Sequence, residues 1–112
     1  RVVAVFQPHR YTRTRDLIDA FGPALALADV VVLTDIYAAG EAPIPGITIE
    51  RLADAVGASA RELHVVKDLS AVAGAVADLA RPGDLVVVLG AGSIGTVGDR
   101  LVAALTTREV TP

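Results

Sequence analysis

Four short apolar runs punctuate the chain, at Val2–Phe6, Val30–Thr34, Leu63–Val66 and Leu85–Leu89. Each is rich in Val and apolar at consecutive positions, so burial on both faces is expected, as in a parallel sheet covered by helices on either side. Between these runs the apolar positions recur at helical spacing. From about Arg13 to Ala28, residues Leu17, Ile18, Phe21, Leu25 and Ala28 fall at i, i+3 and i+4 intervals and predict an amphipathic helix. Thr12 or Thr14 is placed to cap it, Asp16 suits its first turn, and Pro23 is expected to interrupt or kink it. Further helices are predicted over Ile49–Val56, over Ser70–Ala80 with Ser70 as cap, and from about Ile94 to Leu105. Pro82-Gly83 ends the third of these four, and Ala42–Gly46, with Pro43 and Pro45, reads as a loop. The alternation predicts an α/β fold in a single domain: an open, mostly parallel, Rossmann-like sheet with helices on both faces and right-handed crossovers.

Composition narrows the function classes. The 112 residues leave room for one compact domain, and 53% hydrophobic content is ample for its core. A net charge of −3 gives no basic face of the kind nucleic acids require. Cysteine is absent, so neither a disulfide framework nor a thiolate site can form. No signal peptide opens the chain, and no apolar run approaches the roughly 18 residues of a membrane span. A cytoplasmic protein without nucleic-acid or membrane partners is expected. The chain enters its first strand at Arg1 with no initiator Met, as an excised piece of a longer protein would.

In such a sheet, ligands bind beyond the carboxyl ends of the strands, where the strand order reverses. Three polar or glycine-rich segments fall there: Gln7–Arg15 after the first strand, Asp35–Glu41 after the second, and Gly90–Gly95 after the fourth. The first holds His9, Arg10, Arg13 and Arg15 and leads into a helix N-terminus, where free N–H groups favour an anion. Arginine grips carboxylate or phosphate through paired hydrogen bonds, so Arg10 and Arg13 are read as an anion site with His9 as a candidate ligand beside them. His64, at the head of a strand, is read as structural. Asp35, Tyr37, Glu41 and Gly92 are candidate pocket residues, although Asp and Gly are also ordinary turn formers. Gly90-x-Gly-x-x-Gly95 matches the dinucleotide fingerprint, but only 17 residues follow it, too few for the ribose-binding acid about 20 residues on. The turn can still bring backbone N–H groups and the Ser93 hydroxyl to an anion. No G-x-x-x-x-G-K-[ST] loop occurs, and no residue is assigned as a catalytic acid or base or as a metal ligand.

The segments Phe6-Gln-Pro-His-Arg-Tyr-Thr-Arg-Thr14, Asp35-Ile-Tyr-Ala-Ala-Gly-Glu41 with Pro43-Ile-Pro-Gly46, and Gly90-Ala-Gly-Ser-Ile-Gly95 together resemble the C-terminal domain of the Mur ligase family. The likeness is to the branch that joins L-alanine to UDP-N-acetylmuramate. It spans positions 6 to 95, and the first motif is the specific one. The resemblance implies a three-domain cytoplasmic enzyme of peptidoglycan synthesis. Its N-terminal domain would hold UDP-N-acetylmuramate, its central domain ATP and magnesium, and its C-terminal domain would close over both. It further implies that the muramoyl carboxylate is phosphorylated by ATP and then attacked by the amine of L-alanine. Arg10 and Arg13 would hold the amino-acid carboxylate with His9 and Tyr11 alongside, and Ser93 and Ile94 would approach the same substrate. The chain alone is expected to be inactive. Two other readings stay open: a stand-alone α/β module for a small carboxylate or phosphate, and a dinucleotide-binding oxidoreductase fragment.

Overall fold

A computed structural model describes residues 1–110, excepting the side chains of Ser93, Arg108, Glu109 and Val110. Four strands, β1 (Val2–Phe6), β2 (Val30–Leu33), β3 (Leu63–Val65) and β4 (Leu85–Leu89), form one sheet in the order β3-β2-β1-β4. All neighbouring pairs are parallel; Val3 lies opposite Val30 on one side of β1 and opposite Val86 on the other. The helices are α1 (Tyr11–Leu25), α2 (Ile49–Gly57), α3 (Leu69–Leu79) and α4 (Val97–Val110), with a 3-10 turn at Gly92–Thr96 before α4. Helices α1 and α2 cover one face, through Ile18, Leu25, Ile49, Leu52 and Val56 on Ala4, Val31 and Leu33. The other face carries α3 and α4, with Val72, Val76, Val97 and Leu101 packed on Val3, Val5, Val30 and Val32. The chain steps outward from β1 to β2 and β3, then returns to β4 beyond β1. Crossovers of one hand made in opposite directions must put their helices on opposite faces, which is the arrangement found. The strand order therefore reverses between β1 and β4.

Several local expectations are corrected. The apolar runs do not all bury both faces: β1 and β2 are central and covered, but β3 and β4 are edge strands. Leu85 and Leu89 are 61% and 39% exposed, and Val65 40%. A hydrophobic run reports that a strand meets a core, not how many neighbours it has. Helix α1 begins at Tyr11, two residues earlier than expected, so Thr12 and Thr14 lie inside it and neither caps it; Asp16 falls beyond its first turn. The Thr14 hydroxyl donates instead to the Arg10 carbonyl at 2.7 Å. The buried stripe of α1 is Thr14, Ile18, Gly22 and Leu25, which leaves Leu17 largely exposed. Pro23 is accommodated within the last turn, and the helix ends two residues later at Leu25. Helix α3 is capped by Asp68, whose carboxylate accepts from the Ser70 amide at 2.9 Å, so Ser70 is inside the helix rather than its cap. The last helix is delayed to Val97, with the 3-10 turn preceding it. Among the described residues no helix is long and apolar enough to cross a membrane.

Candidate functional site

Extended backbone beyond β1 keeps pairing after the strand ends. The Tyr37 amide donates to the Pro8 carbonyl at 2.9 Å, and the Arg10 amide donates to the Tyr37 carbonyl at 2.7 Å. This isolated parallel bridge sets His9 beside Tyr37. Their rings stack with centroids 5.6 Å apart and planes 22° apart. Gln7 joins the same point to both neighbouring strands: its amide donates to the Leu89 carbonyl at 3.1 Å and its Nε2 to the Asp35 carbonyl at 3.1 Å. Three loops that are distant in sequence thus meet where the strand order reverses.

The glycine turn after β4 closes this arrangement from the other side. Gly90 and Gly92 hold φ of +143° and +83°, conformations that L side chains rarely adopt. A Cβ at Gly90 would lie 2.8 Å from the Gln7 carbonyl oxygen, and one at Gly92 would lie 2.9 Å from the Tyr37 ring. The close approach that these glycines permit is thus used within the chain, by Gln7 and Tyr37. In a dinucleotide site the second glycine admits a pyrophosphate and the third packs helix on strand. Among the described residues, nothing beyond its own helix and chain neighbours lies within 4 Å of where a Gly95 Cβ would be, so the fingerprint is matched in letters and not in packing.

His9, Arg10, Thr12 and Arg13 line a groove of about 450 Å³, bordered by Asp16 and Leu17. A second hollow of about 310 Å³ adjoins it, where His9 and Arg13 face Gln7, Gly90 and Ala91. His9 and Arg13 belong to both. Arg15 pairs with Asp16 at 3.0 Å on the surface, whereas Arg10 and Arg13 make no ion pair among the described residues. Two guanidinium groups lining one groove suit a carboxylate or phosphate.

The N-terminus of α1, expected to help bind an anion, already holds one from the chain itself. Glu41 accepts from the Thr12 amide at 3.2 Å and from the Thr12 hydroxyl at 2.7 Å. These hydrogen bonds, with the Tyr11 amide and the charge of Arg10, lower the Glu41 pKa below the usual carboxylate range. Glu41 is therefore a cap that staples the β2 loop to α1, a role that local sequence could not reveal. A second anion at this helix end would compete with Glu41 for the Thr12 amide.

The remaining candidates separate. Tyr11 and Asp35 line another groove, of about 400 Å³, opposite Lys67, Glu50 and Ile44. The Ile94 side chain is 1% exposed within the core, so only its backbone can face a ligand. The Ser93 side chain lies outside the described residues. His64 pairs with Glu62 at 2.7 Å on β3, away from the three loops. Gln7 was not singled out as a site residue; its Oε1 is buried with no hydrogen-bond partner among the described residues. Among the described residues no three His, Asp or Glu side chains gather as metal ligands.

Comparison with known proteins agrees with the motif resemblance. The family model described as "Mur ligase, glutamate ligase domain" matches residues 1–92. The chain is 52% identical over 105 residues to a UDP-N-acetylmuramate–L-alanine ligase of Anaeromyxobacter dehalogenans, covering 94% of this chain and 23% of that protein. The enzyme of the same name from Cutibacterium acnes is 50% identical over 94% of this chain and 22% of its own length. That of Syntrophotalea carbinolica is 47% identical over 97% and 24%. The chain thus spans about a quarter of the length of the curated relatives it matches.

Proposed function

The chain belongs to the Mur ligase family, and we propose that it is the C-terminal, substrate-closing domain of an ATP-dependent ligase that joins L-alanine to UDP-N-acetylmuramate in cytoplasmic peptidoglycan synthesis. Its task is to position the amino acid. The observation that carries this reading is the groove at the β1/β4 reversal, which His9, Arg10 and Arg13 line and where neither arginine makes an ion pair among the described residues.

Arg13, shared by both hollows, and Arg10 grip the carboxylate through charge-assisted hydrogen bonds, with His9 as a further donor or acceptor. The Gly90–Gly92 turn closes the far side and offers backbone N–H groups. A small amino acid held by its carboxylate presents its amine in a restricted direction. Fixing one reactant in this way can contribute up to about 7–11 kcal/mol in well-oriented cases, of which this chain supplies one half of the encounter.

ATP, magnesium and UDP-N-acetylmuramate belong to the rest of the longer protein. The residues present do not fit a magnesium nucleotide: no metal-ligating cluster occurs among the described residues, and no phosphate loop of the G-K-[ST] kind occurs in the sequence. The side chains of this domain position substrate and act as neither acid nor base.

Kinetics of the full-length protein test the reading. Arg13→Ala is expected to raise the KM for L-alanine roughly ten- to hundredfold, the equivalent of about 1.5–3 kcal/mol for a lost charge-assisted contact. An unchanged KM together with an ordinary melting curve would show that the carboxylate is held elsewhere.

A further inference from the structure

Tyr37 lines neither hollow of the proposed amino-acid site, yet it touches two of the three loops that build that site. One face of its ring stacks on the His9 imidazole at 5.6 Å. Another part of the ring lies where a Gly92 Cβ would be, at 2.9–3.1 Å from its Cε1, Cδ1 and Cζ. Its backbone is pinned on both sides, by the Pro8 carbonyl and the Arg10 amide. The loop that carries it is fastened to α1 by Glu41. No hydrogen bond of the His9 ring to a protein group occurs among the described residues, so the aromatic stack is the contact that orients it.

We propose that Tyr37 is a positioning residue: its ring, wedged between His9 and the Gly92 turn, fixes the imidazole at the wall it shares with Arg13. The role requires the aromatic face and not the hydroxyl, since stacking and the fit against Gly92 both involve ring carbons. The inference rests on the amino-acid site proposed above for its kinetic consequence, but the stack itself can be tested without any ligand.

The experiment is a double-variant cycle in the full-length protein, with Tyr37→Ala, His9→Ala and the two combined, alongside Tyr37→Phe. Tyr37→Ala is expected to raise the KM for L-alanine roughly three- to tenfold with little change in kcat, the range an aromatic pair supports. The combined variant should be no worse than His9→Ala, because a residue acting through His9 has nothing left to position. Tyr37→Phe should restore the wild-type KM. In parallel, the His9 ring resonance, assigned by its loss in His9→Ala, should move in Tyr37→Ala and not in Tyr37→Phe, as the ring current of the stacked neighbour disappears. Additive effects in the cycle, or a His9 resonance unmoved by Tyr37→Ala, would overturn the proposal. If the resonance moves as expected but neither His9→Ala nor Arg13→Ala alters the L-alanine KM, the stack stands and the amino-acid site is the part that fails. A Tyr37→Ala protein that does not fold transfers the test to Tyr37→Leu, which retains more apolar bulk than alanine and removes the aromatic face.

Discussion

Gly92 and Gly40 hold nearly the same positive φ, +83° and +86°, and differ in what surrounds them. An alanine at either position meets the left-handed strain, worth about 1 kcal/mol or more. At Gly40 the added methyl enters open space, whereas at Gly92 it meets the Tyr37 ring at 2.9 Å. Gly40→Ala is therefore expected to lower the melting temperature slightly and leave the L-alanine KM alone. Gly92→Ala should raise that KM as well, by displacing Tyr37 from His9, and equal kinetics for the two variants would contradict this. Glu41 adds a pH dependence at the same scale. Its folded-state pKa is lowered, first by the Thr12 hydroxyl and amide. The stability it contributes is thus present above the ordinary glutamate pKa and is lost as pH falls through the lower folded value. Thermal unfolding followed from pH 7 into the acid range should show a shallower loss in Glu41→Gln than in the wild type; parallel curves would mean that the cap contributes nothing.

Helix α1 packs across α2 at a glycine. A Cβ at Gly22 would lie 2.9 Å from the Ala55 carbonyl oxygen, a backbone atom that cannot simply rotate away. Gly74 sits in the middle of α3 with nothing within 4 Å. Gly22→Ala is expected to destabilise by about 1–3 kcal/mol through overpacking. Gly74→Ala should stabilise by about 0.5–1 kcal/mol, because alanine loses less backbone entropy in a helix. Urea unfolding of both variants checks the contrast, and the same sign for the two would refute it. At this scale the sequence was legible wherever a signal is local. The four strands and four helices were all anticipated, because Val-rich runs and i, i+3, i+4 spacing are short-range patterns. What it hid was contributed from elsewhere in the chain. The cap of α1 comes from Glu41, 29 residues beyond Thr12, and the exposure of Leu85 and Leu89 depends on β4 having one neighbour. The stripe of α1 was misread at Leu17 because Thr14 and Gly22, which look polar or neutral in sequence, are buried positions, Gly22 against α2.

In the whole molecule the site follows from topology. Once β4 returns beyond β1, the loops after β1 and β4 must flank the same crevice, and the loop after β2 adjoins it. That is why His9, Arg10, Arg13 and Gly92 could be gathered from sequence by their position after strands. The same rule could not separate Tyr11 and Asp35, which follow strands but turn toward a different groove. Nor could it pair His9 with Tyr37, since that contact depends on the register of a bridge formed after both strands have ended. The matched relatives are about four times longer than this chain, and in the proposed reading it contributes one half of an amide-forming encounter while activation falls to the rest of the protein. The most direct measurement is phosphate release from ATP by the full-length protein, supplied with UDP-N-acetylmuramate and a panel of amino acids. Release that requires both the sugar nucleotide and L-alanine is expected. Release that ignores L-alanine and responds to a different amino acid or peptide, or no release with any combination, would contradict it.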